Sequence, residues 1–468
     1  MIPIKFGTDG WRAIIAQEYT LDNLSRVSDA TARWMVSKGM SKVVIGHDTR
    51  FGGKMFADRA AEICLSHGLT VYLGEDFVST PMVSLGIVKH SADLGIVITA
   101  SHNPPSYNGF KLKSAYGGPT IPKEIAEVES HIIDVIPTAK ADLNAALKSG
   151  KLIMTDLESI YIDHIKSNFD LDLIRNSGIK LAYDAMYGAG QNVVKQLFDN
   201  AALLHCENNP SFYGQAPEPI NRNLTELSQY IKDHPEINVG LANDGDADRV
   251  GMFDADGEFV DSQHLLLLLL YYLKEYKNET GKVVVTFSVT EKMEKLAEMY
   301  GLDFEVTKIG FKYIAEIMVN EKIIAGGEES GGLAVAGHIP ERDGIWIGLL
   351  IMEFMAKTGR SIKELIQEVY TKVGAFKFDR DDLHIENDKK WAIMDLCKKD
   401  KIKSIGGRDV LYVKKIDGYK FFVADNTWVM IRPSGTEPVL RVYAQAGDYV
   451  GVRKMLDDTH ATLAELVK

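Results

Sequence analysis

Residues 98–104 read Ile-Thr-Ala-Ser-His-Asn-Pro, and the interpretation of the whole chain starts from this stretch. The apolar run Leu94–Ile98, which ends in it, is rich in branched side chains and predicts a buried strand. Pro104 interrupts regular structure, so we expect Ser101 on the turn that leaves the strand. Such turns often hold catalytic groups, because a rigid scaffold aims the side chain while the backbone stays accessible. The alternative is an ordinary turn in which Ser101 and Asn103 bond only neighbouring backbone.

Composition narrows the class of protein. The chain has 468 residues, 46% of them hydrophobic and 25% charged, which is typical of a soluble globular protein of about three or four domains. Its formal net charge of -12 repels polyanions, so neither nucleic acid nor an anionic membrane is an expected partner. The longest apolar run, Leu265–Leu273, is shorter than the roughly 20 residues of a membrane span and predicts a buried helix. Three widely spaced cysteines and the absence of an apolar signal core near the N-terminus predict a reduced, cytoplasmic setting.

Strands alternate with helices through most of the chain, which predicts an α/β fold with largely parallel sheets. Units of strand, polar loop, helix and strand begin near Lys42, Lys180 and Lys282. The Asn108-Gly109 pair is a turn signal. After Gly374 the pattern changes to several short strands with a closing helix, which is typical of a small α+β domain.

Residues 244–249 read Asp-Gly-Asp-Ala-Asp-Arg and follow the predicted strand Ile237–Leu241. Carboxylates at alternate positions of an extended loop can converge on one hard cation. An EF-hand does not fit, because its sixth position requires glycine and here is Arg249. A solvated acidic turn is the alternative, although three close carboxylates repel one another unless something neutralises them. Magnesium is the expected ion, because oxygen-only ligand sets with few protein donors usually serve phosphate chemistry.

Two further loops carry polar groups between glycines. In the segment Gly326–Gly332, Glu328 and Ser330 could bind a diol, or the segment could be a flexible surface turn. Lys308 supplies a cation upstream of it. Residues 431–438 read Ile-Arg-Pro-Ser-Gly-Thr-Glu-Pro, which indicates an anion cradle, since the arginine fork matches phosphate oxygens and the turn exposes backbone N–H groups.

Taken together and in this order, the motifs resemble those of the α-D-phosphohexomutase family, in its phosphoglucomutase/phosphomannomutase branch. The matching segments are residues 99–104, 244–249, 327–330 and 432–438. The resemblance implies an α/β fold of three similar α/β domains with mixed sheets and a smaller C-terminal α+β domain around a central cleft. We place the domains at 1–150 with the catalytic serine loop, 151–256 with the metal-binding loop, 257–374 with the sugar-binding loop and 375–468 with the phosphate-binding loop.

The resemblance also implies residue roles. Ser101 would be the phosphorylated serine, and Lys111 the candidate proton shuttle. The catalytic set would be Ser101, His102, Lys111, Arg12 and Arg249, and the magnesium ligands would be Ser101 through its phosphoryl oxygen, Asp244, Asp246 and Asp248. The substrate-binding set would be Lys308, Glu328, Ser330, His338, Arg342, Arg432, Ser434, Gly435, Thr436 and Arg441.

One departure from the family pattern concerns proton transfer. Some dual-specificity members carry His two residues after the serine of the sugar loop, where this chain has Gly332, which puts a proton-transfer role at that position in doubt. The glucose-type enzymes instead carry a His-Ile-x-Glu-Lys-Asp-Gly run. Residues 338–344 resemble this run, with Arg342 in place of lysine.

The implied activity is the interconversion of hexose 1-phosphate and hexose 6-phosphate, with glucose and then mannose as the expected sugars. The serine-bound phosphoryl group would pass to the sugar, and a 1,6-bisphosphate, also the expected activator, would turn over and return a phosphoryl group to the serine. The partners would be small sugar phosphates, and the protein a monomer or a small homo-oligomer. The alternatives are a phosphoglucosamine mutase, a hydrolytic phosphatase and a non-catalytic sugar-phosphate-binding protein.

Overall fold

The computed structural model describes residues 2–434 and 439–466. The chain forms two compact units, one of Met1–Val284 with Gly310–Leu365 and the other of Val285–Ile309 with Ile366–Lys468. Within the described ranges, no helix combines the length and the apolar character needed to cross a bilayer. The cytoplasmic setting and the boundaries of the four domains stay predictions.

The first sheet belongs to the first unit and has the strand order β1-β5-β4-β2-β3-β7, with β6 beside β5. Strands β2, β3, β4 and β7 run parallel, whereas β5 is antiparallel to both β1 and β4. Strand β7 therefore extends this sheet beyond the predicted boundary at residue 150. The elements are β1 Trp11–Ile14, α1 Leu21–Ser37, β2 Lys42–His47, α2 Gly53–Ser66, β3 Thr70–Gly74, α3 Thr80–His90, β4 Leu94–Ile98, β5 Tyr107–Ser114, β6 Gly118–Pro119, α4 Pro122–Ser130, α5 Leu143–Lys148 and β7 Leu152–Thr155.

The turn predicted at Asn108-Gly109 is wrong, because both residues lie inside strand β5. A Cβ atom at Gly109 would lie 2.4 Å from the carbonyl oxygen of Thr99 and 2.8 Å from that of Trp11. The glycine is therefore required by the close approach of the two neighbouring strands and not by a reversal of the chain. The buried strand predicted before Ser101 is confirmed as β4, all five residues of which are buried.

The second sheet also lies in the first unit and has the order β12-β11-β10-β8-β9. Strand β8 pairs in parallel with β10 and β9, so the carboxyl ends of these three strands meet at one edge of the sheet. The predicted helix over Leu265–Leu273 is confirmed as part of α10, with every one of those residues buried. The elements are α6 Leu157–Asn168, α7 Leu171–Asn176, β8 Leu181–Asp184, α8 Gln191–Leu197, β9 Ala202–Leu204, α9 Thr225–Asp233, β10 Val239–Asn243, β11 Val250–Phe253, β12 Phe259–Val260 and α10 Ser262–Glu275, with short 3-10 turns at Phe212–Gly214 and Asn221–Asn223.

The next segment again alternates strands with helices. Strands β15 and β16 form an antiparallel pair in the first unit, joined by the loop that carries Glu328 and Ser330. Asp343 caps helix α13 by accepting a hydrogen bond from the backbone N–H of Trp346. The elements are β13 Lys282–Thr286, α11 Lys292–Met299, β14 Phe304–Thr307, α12 Phe311–Asn320, β15 Ile323–Gly327, β16 Leu333–Val335, α13 Gly344–Thr358 and α14 Ile362–Val373.

The C-terminal part of the second unit is an antiparallel sheet of order β17-β23-β22-β21-β20. Helices α15 and α16 accompany it, as predicted for a small α+β domain, and the apolar core includes residues from both helices and the sheet. These findings confirm the predicted fold class of α/β domains with mixed sheets and a C-terminal α+β domain. The elements are β17 Lys377–His384, α15 Asn387–Lys398, β18 Ser404–Ile405, β19 Arg408–Asp409, β20 Tyr412–Lys414, β21 Tyr419–Ala424, β22 Thr427–Pro433, β23 Val439–Ala446 and α16 Tyr449–Leu466.

Candidate active site

Ser101 lies on a tight turn three residues after β4, as its sequence neighbours predicted. Its φ of 52° is in the left-handed region, which costs a residue other than glycine roughly 1–3 kcal/mol and persists only where neighbours impose it. The backbone N–H of Ser101 donates to Thr99 Oγ1 at 2.8 Å, and the Thr99 hydroxyl donates to Asp48 Oδ2 at 2.5 Å. The turn is therefore fixed to the end of the neighbouring strand β2.

Arg50 holds the same turn from behind. Its guanidinium group is fully buried and lies over the ring of Phe212, 5.0 Å from the centroid. The group donates to four backbone carbonyls, those of Ser101 and Asn103 at 2.6 Å, Pro104 at 2.8 Å and Tyr107 at 3.1 Å. Sequence reasoning did not predict a role for Arg50. The signal was its position just after β2, the strand that pairs with β4, because polar residues at the ends of neighbouring parallel strands lie close together.

The three aspartates of residues 244–249 are fully buried and lie beside Ser101. The Ser101 hydroxyl donates to Asp244 Oδ2 at 2.7 Å, across 143 residues of sequence. A Cβ atom at Gly245 would lie 2.6 Å from the carbonyl oxygen of Ser101, so only glycine lets the two loops approach this closely. The structure therefore brings together the two loops that the sequence singled out.

The donor set fits a divalent cation. One oxygen from each of Asp244, Asp246 and Asp248 lies within 4.8 Å of the others, and Oδ1 of Asp246 and of Asp248 are buried without a hydrogen-bond partner among the described residues. Buried polar atoms are nearly always paired, so two orphaned carboxylate oxygens in one cluster indicate a cation site. Burial and the neighbouring carboxylates of Asp248 and Asp246 raise the pKa of Asp244, so this carboxyl gains from a nearby cation. An oxygen-only set of this size suits Mg²⁺.

The other oxygens of the same aspartates are already occupied. Asp246 Oδ2 accepts from Thr80 Oγ1 at 2.5 Å and from Lys111 Nζ at 2.7 Å. Asp248 Oδ2 accepts from Lys111 Nζ at 3.1 Å and from Arg342 at 2.6 Å. Each carboxylate thus binds protein groups through one oxygen and leaves the other for an ion.

Lys111 and Arg342 share a further carboxylate, Asp9, which sequence reasoning missed. Lys111 Nζ lies 2.9 Å from Asp9 Oδ2, and Arg342 donates to the same oxygen. Burial alone would lower the pKa of Lys111. The negative charges of Asp246, Asp248 and Asp9 outweigh this effect and raise the pKa above its ordinary value. Lys111 is therefore a charged ammonium that can neutralise a phosphoryl group.

The remaining predicted catalytic residues surround the serine turn. The His102 ring lies next to the hydroxyl of Ser101, with Nδ1 3.4 Å from Oγ. Burial, together with the charges of Arg249 and Arg12, lowers the pKa of His102 well below its ordinary value, so the ring is neutral. Arg12 donates to Asn103 Oδ1 at 2.7 Å. These two arginines place positive charge where a phosphoserine would need it.

The loop between β15 and β16 packs directly on the aspartate loop. The backbone N–H of Val250 donates to the carbonyl of Gly331 at 3.1 Å. Glu328 is buried, and its carboxylate lies 3.9 Å from Arg342. Burial raises the pKa of Glu328 to about 7, so this group changes its charge near neutral pH. Ser330 lies on the same turn and is partly exposed.

The structure does not bring His338 into this cluster. Its ring stacks on Trp346 at a centroid distance of 3.9 Å, its Nε2 lies 2.9 Å from Asp343 Oδ2, and its side chain is 2% exposed. These contacts anchor the start of helix α13, next to Arg342.

The remaining predicted substrate-binding residues belong to the second unit. Arg432 and Arg441 are cross-strand partners on β22 and β23. The Arg432 guanidinium group lies 3.4 Å from Asp417, and that of Arg441 lies 3.9 Å from Asp382. Ser434 follows β22, and Lys308 follows β14. Gly435 and Thr436 lie outside the described residues. The binding roles of all these residues stay predictions.

Fold and site together define a class of phosphoryl-transfer enzyme, and the comparison with family models identifies it. Four models of the phosphoglucomutase/phosphomannomutase family match in order: the α/β/α domain I at residues 3–136, domain II at 159–257, domain III at 261–373 and the C-terminal domain at 386–461. The chain belongs to this family, as the resemblance of its motifs predicted, and is therefore an enzyme of the mutase type.

Individual relatives match along nearly the whole length. The chain is 29% identical to a phosphoglucomutase/phosphomannomutase of Thermococcus kodakarensis, over 99% of both proteins. It is 30% identical to a phosphoglucosamine mutase of Caldicellulosiruptor bescii, over 96% of both. Among solved structures it is similar to a "putative phosphomannomutase" of Thermus thermophilus, with 32% identity, a TM-score of 0.87 and 99% of each chain covered.

Proposed function

We propose that this protein interconverts hexose 1-phosphate and hexose 6-phosphate through a phosphoserine at Ser101, with glucose as the first candidate sugar and mannose as the second. The observation that carries the proposal is the hydrogen bond of 2.7 Å from the Ser101 hydroxyl to Asp244. Beside it lie buried oxygens of Asp246 and Asp248 that have no hydrogen-bond partner within residues 2–434 and 439–466. A serine that carries about -1.5 to -2 charge once phosphorylated needs such a cation site next to it.

The transfer step exchanges one phosphate ester for another. The Oγ–P bond of Ser101 breaks and a bond forms between phosphorus and O6 of a hexose 1-phosphate. O6 loses its hydroxyl proton and Ser101 Oγ gains one, so the protons balance when Lys111 relays them, giving a proton to Oγ and taking up the one that leaves O6. Arg12 and Arg249 neutralise the phosphoryl oxygens. Mg²⁺ held by the three aspartates would supply further neutralisation of the transferred group. The resulting 1,6-bisphosphate, also the proposed activator, then returns its 1-phosphoryl group to Ser101.

Phosphoglucosamine is the second candidate substrate. Several curated relatives of this chain, at about 30% identity, bear the name phosphoglucosamine mutase. The three candidate sugars differ at C2, and the predicted sugar-binding groups Glu328 and Ser330 do not distinguish them. A small-molecule sugar phosphate is the proposed partner in each case.

The test combines mass and rate measurements. After incubation with glucose 1,6-bisphosphate, intact mass should show one phosphoryl group on the wild type and none on Ser101→Ala. Turnover of Ser101→Ala should fall by roughly three orders of magnitude or more, as expected when a covalent nucleophile is removed. Ser106→Ala is the matched control, because Ser106 is an exposed serine of the same loop and should keep both properties.

The same assay, run in parallel on the 1-phosphates of glucose, mannose and glucosamine, identifies the substrate. Release of inorganic phosphate without isomerisation would replace the proposal with a phosphatase. Wild-type protein that takes up no phosphoryl group and turns over none of the three sugars would replace it with a non-catalytic binding protein.

A further inference from the structure

We propose that Asp9 is a positioning residue of the cation site. It holds Lys111 and Arg342 against the Oδ2 atoms of Asp246 and Asp248, so that both Oδ1 atoms stay available to a divalent cation. The inference rests on the proposed function in so far as that function requires Mg²⁺ at this site. It adds a residue that binds neither the ion nor the serine.

The backbone before β1 is built to place Asp9 beside Lys111. Strand β1 pairs with β5 in a register that sets Trp11 opposite Phe110, so the residues just before Trp11 run along Lys111. Gly10 has a φ of 94°, and a Cβ atom there would lie 2.8 Å from the Phe110 carbonyl oxygen and 2.9 Å from Lys111 Cγ. Only glycine permits this approach, and it brings the Asp9 carboxylate to the end of the Lys111 side chain.

Three cations from two distant parts of the chain converge on this one carboxylate. Its Oδ2 binds Lys111 Nζ at 2.9 Å and Arg342, and its Oδ1 lies 3.6 Å from Lys113 Nζ. Burial alone would raise the pKa of Asp9, but these cations hold it well below its ordinary value. Lys113 lies farther from Asp9 than from Glu341, which it binds at 2.6 Å. The two cations that bind both Asp9 and the aspartate loop are therefore Lys111 and Arg342.

The position of Asp9 relative to the cation site decides its effect. The single Nζ atom of Lys111 binds Asp9 Oδ2 as well as the Oδ2 atoms of Asp246 and Asp248. One terminal nitrogen of Arg342 likewise binds both Asp9 Oδ2 and Asp248 Oδ2. Without the Asp9 charge, both cations lose this anchor and can turn further into the cluster, toward the unpartnered Oδ1 atoms. The local charge also becomes more positive by one unit. Both changes oppose the binding of a dication.

The experiment measures Mg²⁺ binding directly. Isothermal titration of Mg²⁺ into full-length protein stripped of metal and phosphate compares the wild type with Asp9→Asn. We expect the dissociation constant to rise about 10- to 100-fold, the usual effect of removing an outer partner of metal ligands. Asp9→Glu, which restores the charge, should recover most of the affinity. Thermal denaturation without metal verifies folding, and Asp9→Ser replaces Asp9→Asn if the amide variant does not fold.

Glu129→Gln is the matched control. Glu129 ties down the same N-terminal segment, accepting from the backbone N–H of Phe6 at 2.6 Å, without a contact to Lys111 or Arg342 among the described residues. It should leave Mg²⁺ affinity unchanged. An Asp9→Asn protein that binds Mg²⁺ as the wild type does, or a Glu129→Gln protein that is equally impaired, would overturn the inference. If the wild type itself shows neither Mg²⁺ binding nor mutase activity, the proposed function is wrong, and the inference that rests on it is wrong with it.

Discussion

Replacing Arg50 with lysine tests whether the serine turn is held by a planar fork of donors. The guanidinium group reaches four carbonyl oxygens spread over residues 101–107 and is fully buried. A lysine ammonium carries three donors at one point, so we expect at least two of these carbonyls to lose their partner. At 1–3 kcal/mol for each unsatisfied buried group, the variant should be about 3 kcal/mol less stable.

The same substitution should lower turnover more than stability alone explains. Ser101 is held at a left-handed φ, and a loosened turn lets its hydroxyl move away from Asp244. A displacement of about 1 Å can cost roughly 100-fold in rate, which steady-state kinetics measures while urea unfolding gives the free energy. Arg59→Lys is the control, since Arg59 also donates to backbone carbonyls, at Pro137 and Ala139, but away from this turn. If Arg50→Lys keeps its turnover within about threefold of the wild type, the positioning argument is wrong.

Three further results are expected. Burial raises the pKa of Glu328 to about 7, so the wild-type KM for a sugar phosphate should rise as the pH falls below 7 and the carboxylate becomes protonated. The KM of Glu328→Gln should follow only the titration of the substrate itself. Identical pH profiles for the two proteins would show that Glu328 does not bind the sugar. Gly245→Ala should lower turnover at least tenfold, because the new Cβ would lie 2.6 Å from the Ser101 carbonyl oxygen. Gly447→Ala should not lower it, because no atom of the described part of the chain lies within 4 Å of the new Cβ. Exhaustive chelation should abolish activity and Mg²⁺ should restore it; activity that persists without metal would contradict the role of the three aspartates.

Motifs confined to one loop were predictable from the sequence. The serine turn after β4 and the alternating aspartates after β10 each follow an apolar strand, and local patterns of polarity and glycine are enough to indicate such loops. The family resemblance, and not any spacing in the sequence, implied that these two loops meet. The structure joins them through the hydrogen bond of 2.7 Å between Ser101 and Asp244.

The partners of those motifs were not predictable in the same way. Thr80, Asp9 and Arg50 contact the site across 50 or more residues, and each contact depends on strand order and register. The turn expected at Asn108-Gly109 failed for a related reason. Local propensity suggests a reversal of the chain, but pairing with β1 and β4 on either side makes β5 a continuous central strand.

In Asp246 and Asp248, Oδ2 binds protein groups while Oδ1 remains available to an ion, and this difference affects how the protein folds. Since Lys111, Arg342 and Thr80 already bind the Oδ2 atoms of these buried acids, we expect the polypeptide to fold with no ion present, unlike small domains that fold only around their metal. Mg²⁺ would then add stability only by mass action, about 2.7 kcal/mol at a concentration 100 times its dissociation constant. If Mg²⁺ serves this site as proposed, its removal should stop activity while the folded protein persists, and its return should restore activity without refolding.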